Sequence, residues 1–347
     1  MNEQLSTGGF TRRRTDRVAV VGWLVIGLFA LCAVFAGFLA PYDHSAQSRF
    51  EPSAPATRIH FSGLTPIIHP QRVEDPLRRT YSEDTSNAFP LGFFLRGYSY
   101  TLLGIVETDV HLFGVRSTSG IAPRINLLGT DQLGRDRFSR LLYAIRFSFI
   151  VALIGVLVAC LVGILIGGVS GYAGRLMDTF LMGVTDAMLA LPTLILILGV
   201  RAAFPLELPM TRAALLLLLI FALTGWADMA RLTRGLVLSL RTREFVVAAV
   251  ALGVSQRRVL FRHILPNILP SLRTRALLLL PTFLLAEVAL SYLGVGLQEP
   301  EPSLGNMLTA ASDLDQLRSQ PFNILAPALA VLLFTLAIRL VGRNERA

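Results

Sequence analysis

Six predominantly apolar runs, at residues 18–40, 144–171, 177–200, 212–230, 275–297 and 322–341, each supply enough helix to cross the roughly 30 Å of a bilayer core. A helix satisfies its own backbone hydrogen bonds, which lipid cannot do, so this pattern commits the chain to an all-α polytopic membrane architecture with six transmembrane helices. Composition agrees: 53% of the 347 residues are hydrophobic and only 16% are charged.

The net charge of +9 has to be read loop by loop against the membrane. Arg12, Arg13, Arg14 and Arg17 precede the first run. Between the fourth and fifth runs stand Arg231, Arg234, Arg241, Arg243, Arg257, Arg258, Arg262, Arg273 and Arg275, against the single acid Glu244. Residues 41–130 instead balance eight arginines with eight acids, and residues 298–321 hold four acids against Arg318. Positive loops stay inside. Six spans then put both termini in the cytoplasm, with 41–142 and 298–321 facing outward.

The boundaries that follow are a cytoplasmic tail at 1–17, a first transmembrane helix at 18–40, an extracytoplasmic segment at 41–142 and a five-helix core at 143–343. The first run, about 23 residues, exceeds the roughly 7 to 15 of a signal-peptide core and reads as a retained helix. Cys32 and Cys160 both lie within apolar runs, which suits packing rather than a disulfide. The outward segment is too long for a connector and too polar to span, and is expected to fold as a small lobe. RIHF near Arg58 and YTLLGIV near Tyr100 are its best strand candidates. The stretch GTDQLGRDRFSR, Gly129 to Arg140, suits a cap or short surface helix before the second span. Gly163, Gly167, Gly168 and Gly171 recur near four-residue spacing in that span, where they would admit another helix closely.

Within the arginine-rich loop, Phe245 to Leu252 is an apolar octet. Eight helical residues rise only about 12 Å, so it cannot span and must bury its surface otherwise. The spacing predicts a short helix ended by Gly253, then a second helix from Gln256 to Leu265, capped by Ser255 and ending before Pro266. Two readings stand on these residues: a connector lying in the headgroups, and a surface docked on a partner protein. The small side chains of Ala248, Ala249 and Ala251 favour the partner, because interfacial helices present bulkier anchors.

This stretch resembles the EAA loop of permease subunits of binding-protein-dependent ABC importers. Ala248, Ala249, Gly253, Leu265 and Pro266 stand at the family's positions, and His263 fills a place that is histidine in the peptide-transport branch. Val247 replaces the family's glutamate, and Glu244 lies one turn earlier. The segments FLAPYD, LLGTDQLGRDRFSRLLYAIRFS, TGWADMARLTRGLVLSLRTREF and ALSYLGVGLQEPEPSLGNML are similar to the C-type permease of dipeptide and oligopeptide importers. Departures are Leu304 where that branch has tryptophan, a longer outward segment, and a tail from Gly342 to Ala347 without the acidic ending.

The resemblance implies a type I ABC importer transmembrane fold in a bacterial inner membrane, with the EAA loop at 241–270 docking an ATPase. Glu244, Val247, Ala248, Ala249, Gly253, Val254, Ser255, His263, Leu265 and Pro266 would form the coupling elbow. The implied partners are a second, non-identical permease, two ATPase subunits, an extracytoplasmic solute-binding protein and the lipid bilayer; no nucleic acid is involved. The chain contains no lysine, so it lacks a P-loop, and any ATP hydrolysis belongs to partner chains.

Ionisable groups within the spans are functional candidates, because a lipid-facing charge is costly. Asp186, Glu287 and nearby Ser291 are the pathway candidates, with Asp228 a further possibility. Each could equally bond within the bundle and fix packing. Pro192 and Pro281 are expected to kink their helices. His44, His60, His69, His111 and His263 lack the spacing of a metal pair and read as surface or turn residues. Neither a metal site, a cofactor nor a catalytic motif is expected. The competing class is a secondary transporter or channel that needs no ATPase.

Overall fold

The computed structural model describes residues 8–75, 79–102, 104–116, 123–172, 174–205 and 208–344. In chain order the elements are α1 (Gly8–Val34), α2 (Ala36–Leu39), β1 (His60–Ser62), β2 (Thr65–Ile68), β3 (Gln71–Asp75), β4 (Thr80–Glu83), β5 (Phe89–Leu102) and β6 (Val106–Val115). There follow α3 (Arg137–Tyr172), α4 (Arg175–Ala190), α5 (Thr193–Ala202), α6 (Met210–Arg241), α7 (Glu244–Ala251) and α8 (Gln256–Arg258). A π-helical turn, Val259–Ile264, leads into α9 (Leu265–Tyr292), then α10 (Leu304–Leu308), α11 (Leu314–Ser319) and α12 (Pro321–Asn344).

Among the described residues, five stretches are long and apolar enough to cross a membrane: Arg17–Val34, Arg137–Tyr172, Met210–Arg241, Gln256–Tyr292 and Pro321–Gly342. The expected third span is broken instead. Arg175–Ala190 and Ile195–Ala202 meet at a 90° bend, and counting the pair as one span gives six. The cause is local: Leu191 adopts φ −76, ψ 128, the extended backbone that the ring of a following proline, here Pro192, enforces. Pro281, by contrast, lies inside α9, which continues past it.

The chain divides into two compact units: Met1–Trp23 with Val151–Glu287 and Thr335–Ala347, and Leu24–Ile150 with Val288–Phe334. In the first, α3 and α6 pack through the expected glycines. A Cβ on Gly163 would meet Met229 and the Trp226 carbonyl, one on Gly167 the Ala230 carbonyl, and one on Gly171 Val237, so bare glycine is what allows the approach. Gly168 differs: a Cβ there would have Leu265 as its nearest neighbour, at 3.8 Å. Phe221 and Phe283 stack at 4.4 Å between α6 and α9. Asp178 of α4 takes Arg234 of α6 at 2.5 and 2.6 Å, and also accepts from Ser170.

In the second unit, Phe334 meets Phe29 at 5.3 Å and Phe149 at 5.6 Å. The segment between α2 and α3 adds β structure to the helical frame: a four-stranded antiparallel sheet ordered β1-β2-β5-β6, and the β3-β4 hairpin. Only part of this was expected. His60 and Phe61 of RIHF do enter β1, but YTLLGIV holds the end of β5, a turn at Gly104 with φ +70, and the start of β6. His111 is not a surface histidine: it is 3% exposed, and its ring nitrogens face the Gly37 carbonyl at 2.9 Å and the Tyr98 carbonyl at 3.0 Å. The sheet thus clamps the chain just after α1.

Residues 129–136 form a turn closed by the Thr130–Asp136 bridge, and Asp136 caps α3, which begins at Arg137, by accepting the Ser139 N–H at 2.7 Å; of the two expected roles the stretch takes the cap, not a separate surface helix. Its arginines are buried. Arg135 holds Asp131 at 2.6 Å and Glu299 at 2.6 Å, while Arg140, 3% exposed in its side chain, grips both oxygens of Glu299 at 2.8 and 2.9 Å. Arg137 reaches the Thr130 carbonyl and Gln316. Buried guanidinium groups require such partners, and here the network ties the start of α3 to the segment before α10.

Candidate functional site: an elbow between two spans

The octet is helical as α7, and the chain leaves it through a glycine turn of Schellman type. Gly253 takes φ +80, its N–H donates to the Val250 carbonyl at 2.9 Å, and Val254 N–H donates to the Ala249 carbonyl at 3.1 Å. A Cβ on Gly253 would meet nothing within 4 Å, so the glycine serves the backbone angle alone. Ser255 then sits at the N-cap of α8 with ψ 144, but its side chain makes no capping bond.

The helix expected to stop before Pro266 does not stop. Pro266 would clash with a carbonyl four residues back in a regular helix. Immediately before it the chain widens into the π turn, where Leu265 N–H bonds five residues back to the Leu260 carbonyl. Helical backbone therefore runs from Gln256 to Tyr292, and the elbow joins the span at its far side without a loop.

α7 packs on α6 and on the π turn, and the two faces of the elbow differ. Val246, Val259, Leu260 and Ile264 are buried, and so is Ala249 at 8% exposure. Outward stand Phe245, Val247, Val250, Leu252 and Phe261, between 44% and 84% exposed, together with Glu244, Ala248, Gly253, Ser255 and Pro266. Val254, His263 and Leu265 are half-buried. Arg241, Arg243, Arg257, Arg258 and Arg262 rim this surface, all exposed. Ala248 and Ala249, adjacent in sequence, thus do different jobs: one faces out, the other seats the elbow on its own span. Phe245, Val250, Leu252 and Phe261 add to this apolar surface, although none is a position of the family motif.

The pathway candidates separate as well. Asp186 lies on α4 beside the bend, 63% exposed in its side chain, paired with Arg231 of α6 at 2.5 Å. Asp228 of α6 pairs with Arg275 of α9 at 3.1 Å. Both are thus held in ion pairs to a neighbouring helix. Glu287 is fully buried on α9. Ser291, 1% exposed, accepts the Leu297 N–H at 3.1 Å and thereby holds the turn after α9. Among the described residues, no three His, Cys, Asp or Glu side chains gather as a metal site.

Comparison with known proteins accords with this arrangement. Residues 163–344 match the family described as binding-protein-dependent transport system inner membrane component, and residues 10–55 match the N-terminal TM domain of oligopeptide transport permease C. The chain is 26% identical over 335 residues to the oligopeptide transport system permease protein OppC of Bacillus subtilis, covering 96% of this chain and 86% of that one. It is 35% identical over 218 residues to the dipeptide transport system permease protein DppC of Alkalihalophilus pseudofirmus, covering 63% and 69%. To the di/tripeptide transport system permease protein DppC of Pseudomonas aeruginosa it is 35% identical over 220 residues, covering 63% and 70%. The chain belongs to the family of inner membrane components of binding-protein-dependent transport systems.

Proposed function

We propose that the chain is the C-type permease subunit of an ATP-driven importer of peptides or similar small solutes, with α7 and the turn after it as the surface on which an ATPase subunit docks. The observation that carries this is the two-faced elbow: apolar side chains exposed on one side and Val246, Ala249, Val259 and Ile264 anchored on the other. An exposed apolar surface of this kind, rimmed by arginines that keep it out of the bilayer, is what a protein partner would cover. Peptides are the cargo by similarity to the oligopeptide and dipeptide permeases above.

Coupling in this reading is mechanical. Two residues separate α6 from α7, and four separate α7 from α8, so displacement of the elbow is passed to both attached spans. The ion pairs Asp178–Arg234 and Asp186–Arg231 extend it to α4, which ends at the bend before Pro192. Closure of two ATPases would then swing one half of a pathway whose other half is a second permease, with a solute-binding protein delivering cargo on the outer side. Arginine placement supports both termini lying in the cytoplasm. Absence of lysine supports placing hydrolysis on the partner chains.

The test is reconstitution of the full transporter with Leu252→Asp or Phe261→Asp in this chain. Loss of ATPase co-purification, or hydrolysis without uptake, is the expected result. Normal assembly and normal uptake in both variants would overturn the proposal, as would uptake sustained by membrane potential after ATP depletion.

A further inference from the structure

Within the first unit a crevice of about 430 Å³ opens on the flank of α9 and α12. Leu278, Pro281 and Leu285 wall one side, and Thr335 and Arg339 the other. Gly342 closes one end, where a Cβ would come within 3.4 Å of Leu278, and Thr335 lies seven residues before it, so the crevice runs about 10 Å along the helices. Two polar groups in it lack partners. Thr335 Oγ1 is buried without a hydrogen-bond partner, whereas Thr282 across the crevice bonds its own Leu278 carbonyl at 3.4 Å. Arg339 is exposed and forms no ion pair among the described residues, unlike Arg231, Arg234 and Arg275 of the same unit.

An unpaired guanidinium one helical turn from an unpaired hydroxyl, inside a spanning helix, asks for an anionic acceptor. The rest of the wall asks for hydrocarbon, and the flanks continue it: Leu285 and Leu336 are 47% and 49% exposed. One molecule available in a membrane combines an anionic head with apolar chains. We infer that this crevice binds an anionic phospholipid, its phosphate taken by the Arg339 guanidinium and the Thr335 hydroxyl, with acyl chain lying along Leu278, Pro281 and Leu285. Basic grooves between spans hold such headgroups by the same combination of charge and hydrocarbon contact.

The experiment is native mass spectrometry of the full-length chain in neutral detergent, titrated with phosphatidylglycerol or phosphatidylcholine of identical chains. Wild type should retain phosphatidylglycerol about fivefold more strongly, the worth of one basic group near an anionic headgroup. Arg339→Gln should remove that preference, Thr335→Val should weaken it, and Arg339→Lys should keep part of it. Leu285→Trp, which fills the crevice, should reduce binding of both lipids and serves if Arg339→Gln does not fold. Equal retention of the two lipids by wild type overturns the inference. So does an unchanged preference in Arg339→Gln, or unchanged binding of both lipids in Leu285→Trp. Displacement of the lipid by glycerol phosphate at equal concentration would overturn it too, marking a site for free phosphate. Loss of lipid when a second permease is added would assign the crevice to that subunit instead.

Discussion

Val254 donates its backbone N–H to the Ala249 carbonyl at 3.1 Å, across a glycine at φ +80. That bond and the neighbouring Gly253-to-Val250 bond set the angle at which the elbow turns back toward the membrane. Gly253→Ala introduces a left-handed penalty of about 1 to 2 kcal/mol but no collision, since the space beside it is open. The chain should therefore still assemble with an ATPase. Gly253→Pro also removes the N–H and fixes φ near −65°, so it should abolish assembly. Co-purification of the two variants, side by side, measures the contrast.

Ala249 and Val247 give a second contrast. Ala249 is 8% exposed and Val247 56%. A carboxylate at Ala249 would be forced into the elbow's own seat, and Ala249→Asp should lower the stability of the isolated chain by roughly 2 to 4 kcal/mol. Val247→Asp should change that stability by less than about 0.5 kcal/mol. Thermal unfolding of the purified chain in detergent distinguishes them, and only the second variant then reports on docking.

The glycine stripe makes a prediction of opposite signs at neighbouring residues. A methyl at Gly167 would strike the Ala230 carbonyl, which as backbone cannot yield cheaply, and Gly167→Ala should cost about 1 to 3 kcal/mol. A methyl at Gly168 would have its nearest neighbour 3.8 Å away, and Gly168→Ala should be neutral or stabilising by up to about 1 kcal/mol through helix propensity. Equal effects at the two positions would contradict the observed α3–α6 packing.

That pair also shows what could be read from the sequence. Spacing identified Gly163, Gly167 and Gly171 because a helix repeats every 3.6 residues, yet it placed Gly168 with them, and only the phase of α3 against α6 tells them apart. Charge placement, apolar octet and terminating glycine predicted the elbow because each is a local property. The π turn was not legible, since it depends on how the chain accommodates Pro266 while staying packed on α6. The same holds for the lobe: a strand as long as β5 is hidden when glycines interrupt its pattern, as Gly92 and Gly97 do. Arg135 and Arg140 looked like surface charges because their partner, Glu299, is some 160 residues away.

Glu299 is the residue on which those two arginines converge. Because its own side chain is half exposed, water offsets part of the loss when it is neutralised, and Glu299→Gln should destabilise by about 1 to 3 kcal/mol rather than the full cost of breaking a buried pair. Arg140→Ala should cost as much or more through lost packing. The double variant should cost less than the sum of the two, because both remove one interaction. A thermodynamic cycle built from the unfolding of the three variants checks this; strict additivity would mean that the network contributes nothing as a unit.

Asp136 caps the start of α3, its Oδ2 accepting the Ser139 N–H at 2.7 Å, while its other oxygen is buried without a partner. Burial pushes its carboxyl up from 3.8 to about 6, against the opposing pull of the Ser139 hydrogen bonds. The folded chain therefore holds this proton more tightly than the unfolded chain. The resulting stability is fully present below pH 3.8 and is lost as pH rises through about 6, by roughly 3 kcal/mol. Glu301 has the opposite sign, because its hydrogen bond with His44 holds its carboxyl below the usual range, so the informative quantity is a difference between proteins. Asp136→Asn retains the cap but cannot titrate. Subtracting its unfolding free energy from that of wild type between pH 4 and 7 should leave a curve in which wild type loses ground as pH rises, and a flat difference would show that Asp136 ionises freely in the folded chain.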